Sequence, residues 1–276
     1  MRLRRVLAAT DLSVGAGLAV ERAGRLAAAH GADLTVLNVV PPSLEADLSS
    51  FAADAFADHV TTHAGDAAEL VQRHGPVSDT VLATAADRSV DLLVLGAHGA
   101  RGLAGNLTGP TTENVVRASP CPVLVVRTPV TDYRTVVLAV DRTEAARRAA
   151  EFGLALTPSA THVLAHVSVV IGEQLLRLQG RDEADIERLR EASTAEIRPE
   201  IEELAARLTP SPDAVVVGSG APQRALPELV SHYGAELVVT GSGSSTRFER
   251  VLLGSVAQSV LRYAPADVLV VRGRSR

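Results

Sequence analysis

Two stretches of the chain carry the residue types that hold anions. One is Gly96-Ala97-His98-Gly99, followed after nine intervening residues by Gly109-Pro110-Thr111-Thr112 at the start of an amphipathic segment. The other is Gly241-Ser242-Gly243-Ser244-Ser245, followed by Gly254-Ser255-Val256. Glycine lets a backbone approach an anion closely, and a helix N-terminus supplies unpaired N–H groups and a favourable dipole. A lone acid, Asp11 or Asp141, closes a separate apolar run ahead of each loop. All 27 basic residues are Arg and none is Lys. That removes the P-loop lysine, Schiff-base chemistry and a lysine general base, and leaves backbone N–H groups, hydroxyls or Arg to hold a phosphate.

The other reactive residue types have plainer readings. His59 and His63 are spaced i,i+4 with Asp66 beyond them, but residue 60 is Val, so the metalloprotease pattern is absent and a solvated helix face is expected. His98 could touch a phosphate or be an ordinary loop histidine. Cys121 stands between two prolines and reads as a buried, inert thiol. No Gly-x-Ser-x-Gly elbow or nucleophile–base pair is visible, so no catalytic residue and no metal site are expected. Gly15-Ala16-Gly17 lacks a third glycine at the dinucleotide-binding spacing and reads as a helix entry.

These loops are positioned by a repeat. Arg5-Val6-Leu7-Ala8-Ala9-Thr10-Asp11 returns as Thr135-Val136-Val137-Leu138-Ala139-Val140-Asp141, and 11 of the 32 residues from Gly96 to Arg127 are identical to their counterparts from Gly241 to Arg272. The copies span residues 1–130 and 131–276, with an insertion in the second expected between Glu173 and Leu208. Short β-branched runs alternate with Ala-rich amphipathic stretches, which predicts βαβ units. In the first copy strands are expected near Arg4–Ala9, Leu34–Val39, Ala67–Arg73, Asp91–Leu95 and Val123–Arg127. Helices are expected near Val14–His30, Thr80–Arg88 and Thr112–Ala118. Pro199 should kink or divide the long helix of the second copy. The fold class is α/β: two tandem flavodoxin-like, Rossmann-like units, each a parallel five-stranded sheet flanked by helices.

The net charge of −5 gives no electrostatic reason for nucleic-acid or anionic-membrane binding, and aromatics, at 3%, are too few for stacking platforms. No apolar run reaches the ~18 residues of a membrane span. A cytoplasmic protein is expected.

The combination of Thr10-Asp11-Leu12-Ser13, Asn38-Val39-Val40, the Gly-x2-Gly-x9-Gly loop, Thr112-Glu113-Asn114-Val115 and Pro-Cys-Pro-Val-Leu-Val-Val resembles the universal stress protein family, twice over. The resemblance implies that the acid after strand one and the backbone at the end of strand two hold a nucleoside, and that the glycine loop holds phosphates. By position that assigns Asp11, Val39, Gly96, Gly99, Gly109 and Thr111 in the first copy. In the second it assigns Asp141, Val167, Gly241, Ser244, Gly254, Ser255 and Val256. Both copies depart from the family pattern, with Pro110 in place of the expected Ser and Ser244 in place of the loop's second Gly. The expected ligand is ATP, with or without Mg2+. The expected function is an adenine-nucleotide-binding stress-response switch without efficient turnover. The alternatives are a nucleotide-free module that binds a protein partner and a slow ATP hydrolase. In this family the apolar last strands pair across a dimer, so Val123–Arg127 and Val268–Arg272 are expected to pair within the chain as a pseudo-dimer, with further homodimerisation open.

Overall fold

The computed structural model describes residues 2–42, 49–99, 108–170, 172–243 and 253–272. The first unit runs β1 (Arg5–Thr10), α1 (Val14–His30), β2 (Asp33–Val40), α2 (Ser49–Ala64), β3 (Glu69–His74), α3 (Val77–Asp87), β4 (Leu92–Gly96), α4 (Pro110–Ala118) and β5 (Val123–Val126). The second runs β6 (Thr135–Ala139), α5 (Glu144–Leu156), β7 (Thr161–Ser168), α6 (Glu173–Leu178), α7 (Glu183–Arg207), β8 (Ala214–Ser219), α8 (Pro222–His232), β9 (Leu237–Gly241), α9 (Ser255–Tyr263) and β10 (Asp267–Val271). The segment 41–68 joins β2 to β3, whereas 169–213 joins β7 to β8, so the second copy carries its insertion in α6 and α7.

The strands form one sheet in the order β3-β2-β1-β4-β5-β10-β9-β6-β7-β8. Each half is parallel, and the halves meet where β10 pairs antiparallel with β5, Leu269 opposite Leu124. The two apolar last strands therefore cover each other's edges, which removes both from solvent. Successive strand residues feed opposite faces, as in a sheet covered on both sides. Val6, Ala8, Leu92, Val94, Leu138 and Leu164 belong to one core, with buried residues of α1, α2, α5 and α7. Leu7, Leu37, Leu93, Leu95, Val137 and Val163 belong to the other, under α3, α4, α8 and α9. Both cores run without interruption across the two units.

Local chemistry sets the boundaries. Ser13 and Thr143 cap α1 and α5 by accepting the amides of Ala16 and Ala146. Gly31, at φ 60, ends α1 and returns its amide to Ala27 and Ala28. The acid preceding β4, Asp91, accepts the amides of Arg4 and Arg5, and Glu236 before β9 does the same for Arg134 and Thr135. Each pair fastens the start of its unit's first strand.

Two expectations need correction. Pro199 does not divide the long helix, because α7 runs through it from Glu183 to Arg207. The proline lies on an exposed face, where water can satisfy the carbonyl it leaves without a partner. The helix expected at Thr112–Ala118 starts two residues earlier, with Pro110 in its first turn. That position has no intrahelical acceptor for an N–H, so proline is favoured there. Among the described residues, no helix is long and apolar enough to cross a membrane.

Candidate functional site

Strand order reverses between β1 and β4 in the first unit, and the crevice beyond their C-terminal ends is where open α/β sheets bind ligands. A cleft of about 600 Å³ lies there, within the range of small-ligand sites. Six sequence-assigned residues line it together: Asp11 after β1, Val39 in β2, Gly96 at the end of β4, Gly99, Gly109 and Thr111. Its apolar wall is made by Leu37, Val81, Leu95 and Val115. Sequence reading did not assign these four, although Leu37 and Val39 lie two apart on one strand face and the pattern was readable.

Asp11 is exposed, and its Oδ1 accepts the amide of Ser13 at 3.1 Å and the Ser13 hydroxyl at 2.6 Å. Two glycines let the loop lie close, Gly99 against Asp11 and Gly96 against the start of α1. A Cβ on Gly99 would come 2.7 Å from Asp11 Oδ2, and one on Gly96 would come 2.9 Å from the Gly15 carbonyl. Gly109 caps α4 with φ −69, and a Cβ there would meet neighbours only at ordinary contact distance. Thr112 donates its hydroxyl to the Gly96 carbonyl at 2.9 Å, so it ties α4 to β4 and is not available to a ligand. The Thr111 hydroxyl and the amides of the first turn of α4 remain as donors toward the cleft. His98 also lines it, and its Nε2 is buried without a hydrogen-bond partner among the described residues. Such an atom is a ready contact for a bound polar group.

In the second unit Asp141, Val167, Gly241 and Gly254 also stand at strand C-termini or the following helix start. Asp141 repeats the turn of Asp11, accepting the Thr143 amide at 2.8 Å and its hydroxyl. The surroundings differ. Gln223 donates to the Ser255 hydroxyl at 3.2 Å, and Ser259 donates to the Gln223 carbonyl. These bonds fasten α8 to α9. Gly243 and Gly254 touch, since a Cβ on either would come within 3.2 Å of the other's Cα. Ser255 lines a separate cavity of about 360 Å³ with Glu113, Arg117 and Arg262. Val256 follows it in α9, half-buried against the core. Ser244 lies outside the described residues.

The sequence pattern of the Universal stress protein family matches residues 2–127 and again 132–272. The chain belongs to the universal stress protein family. A protein of Staphylococcus aureus strain USA300 named as a universal stress protein is 41% identical over 54 residues. That match spans 19% of this chain and about a third (32%) of the relative's length. A universal stress protein of Archaeoglobus fulgidus superposes with a TM-score of 0.71 at 21% identity, covering 98% of this chain and 97% of its own. A functionally unknown protein of Pseudomonas aeruginosa PAO1 superposes with a TM-score of 0.69 at 20% identity, covering 98% and 92%. These likenesses extend the tandem architecture over almost the whole universal stress protein chain.

The expected solvated face of α2 is a third correction. His59 Nε2 lies 3.0 Å from the Thr10 hydroxyl, and the His63 ring is 4.7 Å from that of His59. A Cβ on Gly17 would run into the His63 ring, so His63 packs against α1 while His59 packs against the end of β1. The i,i+4 spacing was right for a shared face, but nothing in it said that the face turns inward. Among the described residues no group of three His, Cys, Asp or Glu could hold a metal ion. Cys121 is buried, and burial pushes its thiol up, as an inert core cysteine requires.

Burial chiefly lowers the pKa of His59 from its ordinary 6.5; the nearby His63 adds to the shift, and Asp11 opposes it. Burial also lowers that of His162, with Asp213 and the Thr157 contact opposing. A histidine that binds its proton less well when folded makes the unfolded state the better proton acceptor, so stability falls as pH drops through about 6.5. Denaturant midpoints should therefore be flat near pH 7.5 and decline toward pH 5.5. The decline should be shallower in the His59→Gln/His162→Asn protein. An unchanged slope in that variant would refute the assignment.

Proposed function

We propose that the first unit binds an adenine nucleotide in the cleft between β1 and β4, and that the chain acts as a nucleotide-dependent stress-response switch without efficient turnover. The observation that carries this reading is the convergence of Asp11, Val39, Gly96, Gly99, Gly109 and Thr111 on one cleft of about 600 Å³. Its chemistry fits such a ligand. The apolar wall of Leu37, Val39, Val81 and Leu95 suits a planar base, and Asp11 can accept from ribose hydroxyls. The glycine loop and the start of α4 present N–H donors toward phosphate. Pro110 removes one hydroxyl from the family pattern, and Thr111 supplies one a residue later. Mg2+ would enter with the phosphates of ATP.

The second unit is proposed as a structural partner, because Gln223 already donates to the Ser255 hydroxyl, the group that the family pattern assigns to phosphate. One nucleotide per chain follows. Calorimetry with MgATP should give a stoichiometry of one and an affinity that Asp11→Ala lowers ten- to a hundredfold, the value of about 1.5–3 kcal/mol for hydrogen bonds to a charged group. Asp141→Ala should bind as the parent does. No heat up to millimolar ATP, or loss of binding in Asp141→Ala alone, would overturn the reading. Phosphate release measured at the same time separates a switch from a slow hydrolase.

A further inference from the structure

We infer that His59 is a positioning residue for the turn that carries Asp11, so that α2, which contributes no described residue to the lining of the cleft, sets how Asp11 meets a ligand. The inference rests on the nucleotide reading of that cleft.

The turn is held in a conformation it would not adopt alone. Leu12, directly after Asp11, has φ 66. A non-glycine residue sits in the left-handed region only where its surroundings hold it there. Two grips are visible. Above the turn, Ser13 binds Asp11 Oδ1 through both its amide and its hydroxyl. Below it, the Leu12 amide donates to Thr10 Oγ1 at 3.0 Å. Thr10 is buried, so its hydroxyl proton needs an acceptor inside the protein. His59 Nε2, at 3.0 Å, supplies it. A hydroxyl that accepts the Leu12 amide and donates to a neutral imidazole is fully satisfied and has a single orientation. The Thr10 carbonyl is separately fixed by Asn38 Nδ2 at 3.0 Å.

The imidazole is itself fixed. His63 packs against it, and His63 fits only because residue 17 has no side chain. The charged and titratable groups acting on His59 are His63 on its own helix and Asp11 on the turn. Burial and His63 favour the neutral ring, the form whose Nε2 can accept the threonine proton. A chain of contacts thus runs from α2 through His59, Thr10 and Leu12 to the carboxylate at the mouth of the cleft.

The test uses the full chain, two readouts and four variants, with thermal melts confirming that each is folded. MgATP affinity is measured by calorimetry, and amide hydrogen exchange is followed at Leu12. His59→Ala and Thr10→Val should each weaken MgATP about tenfold and speed Leu12 exchange at least tenfold. The double variant should do no worse than either single one, because both remove the same link. His59→Gln, whose side-chain amide can reach the same hydroxyl, should restore both readouts. Wild-type values for His59→Ala, additive losses in the double variant, or a folded His59→Gln that behaves as the alanine variant would each overturn the inference. If the parent protein binds no MgATP, the nucleotide reading falls by itself. Leu12 exchange then decides alone: faster exchange in His59→Ala keeps the positioning role, and unchanged exchange removes it.

Discussion

Asp267→Ala should lower the melting temperature by roughly 6–20 °C. Asp267 begins β10 and is fully buried. Its Oδ1 accepts the amides of Arg127 and Thr128, at 2.8 and 3.1 Å, and the Thr128 hydroxyl at 3.0 Å. Its Oδ2 accepts the Tyr133 phenol at 2.6 Å and lies 3.3 Å from Nε of the buried Arg22 in α1. Arg22 also stacks 4.0 Å over the Tyr133 ring and donates to the Thr131 carbonyl. One carboxylate therefore holds the connection between the units (residues 127–133), the first helix of one unit and the last strand of the other. Burial and the Asp267 charge push the Tyr133 phenol well up, so it stays a protonated donor. Burial lowers Arg127 to about 10, a shift that Asp267 opposes.

Removing the acid leaves a buried guanidinium without its counter-charge, which costs about 3–5 kcal/mol. At about 2–4 °C per kcal/mol for chains of this order, that gives the stated range. Replacing both charges, Arg22→Met with Asp267→Leu, should recover part of the loss, because the Arg22 guanidinium is then no longer buried without its counter-charge. Calorimetric melts of the parent and the two variants decide the matter. A single variant within about 2 °C of the parent, or a double variant that melts no higher than the single one, would contradict the account.

Gly109→Asp should move binding and stability apart. Gly109 is the N-cap of α4, its φ of −69 suits any residue, and a Cβ there makes only ordinary contacts. Aspartate is a better N-cap than glycine by a few tenths of a kcal/mol, so the melting temperature should stay level or rise slightly. The new carboxylate would stand where the proposed phosphates sit. It should weaken MgATP at least a hundredfold, about 2.7 kcal/mol. Gly254→Asp should do the reverse. Its Cβ would come 3.2 Å from both Gly243 Cα and the Ser242 carbonyl, so it should cost stability and leave MgATP affinity unchanged. Calorimetry and melts on the two proteins check both halves. A Gly109→Asp protein that binds ATP normally would place the phosphates elsewhere.

The first-unit cleft was legible because its residues sit at strand ends and helix starts. Local pattern marks such positions, and strand order then brings them to one edge. Asp11, Gly96, Gly99 and Gly109 are of this kind. In sequence the second unit is the slightly better candidate, because it keeps the Gly254-Ser255-Val256 helix start. In the structure Gln223 donates to the Ser255 hydroxyl, a bond between residues 32 apart in sequence. Whether a hydroxyl faces a ligand or a neighbouring side chain depends on how two helices pack, and neither segment records that alone.

The same division runs through the rest of the molecule. The amino-acid sequence by itself determined the repeat, the α/β class, the helix stop at Gly31, and the apolar last strands that must be covered. Each follows from periodicity, backbone conformation or the exclusion of apolar surface from water, and these act over a few residues. The pairing of β5 with β10 was expected from the family resemblance and is what the sheet shows. Only the tertiary structure decided that Asp267 anchors the connection through Arg22 and Tyr133, and that His59 and His63 turn inward against Thr10 and Gly17. Those partners are brought together by packing between distant elements, where the cost of a buried, unsatisfied polar group selects the pairing.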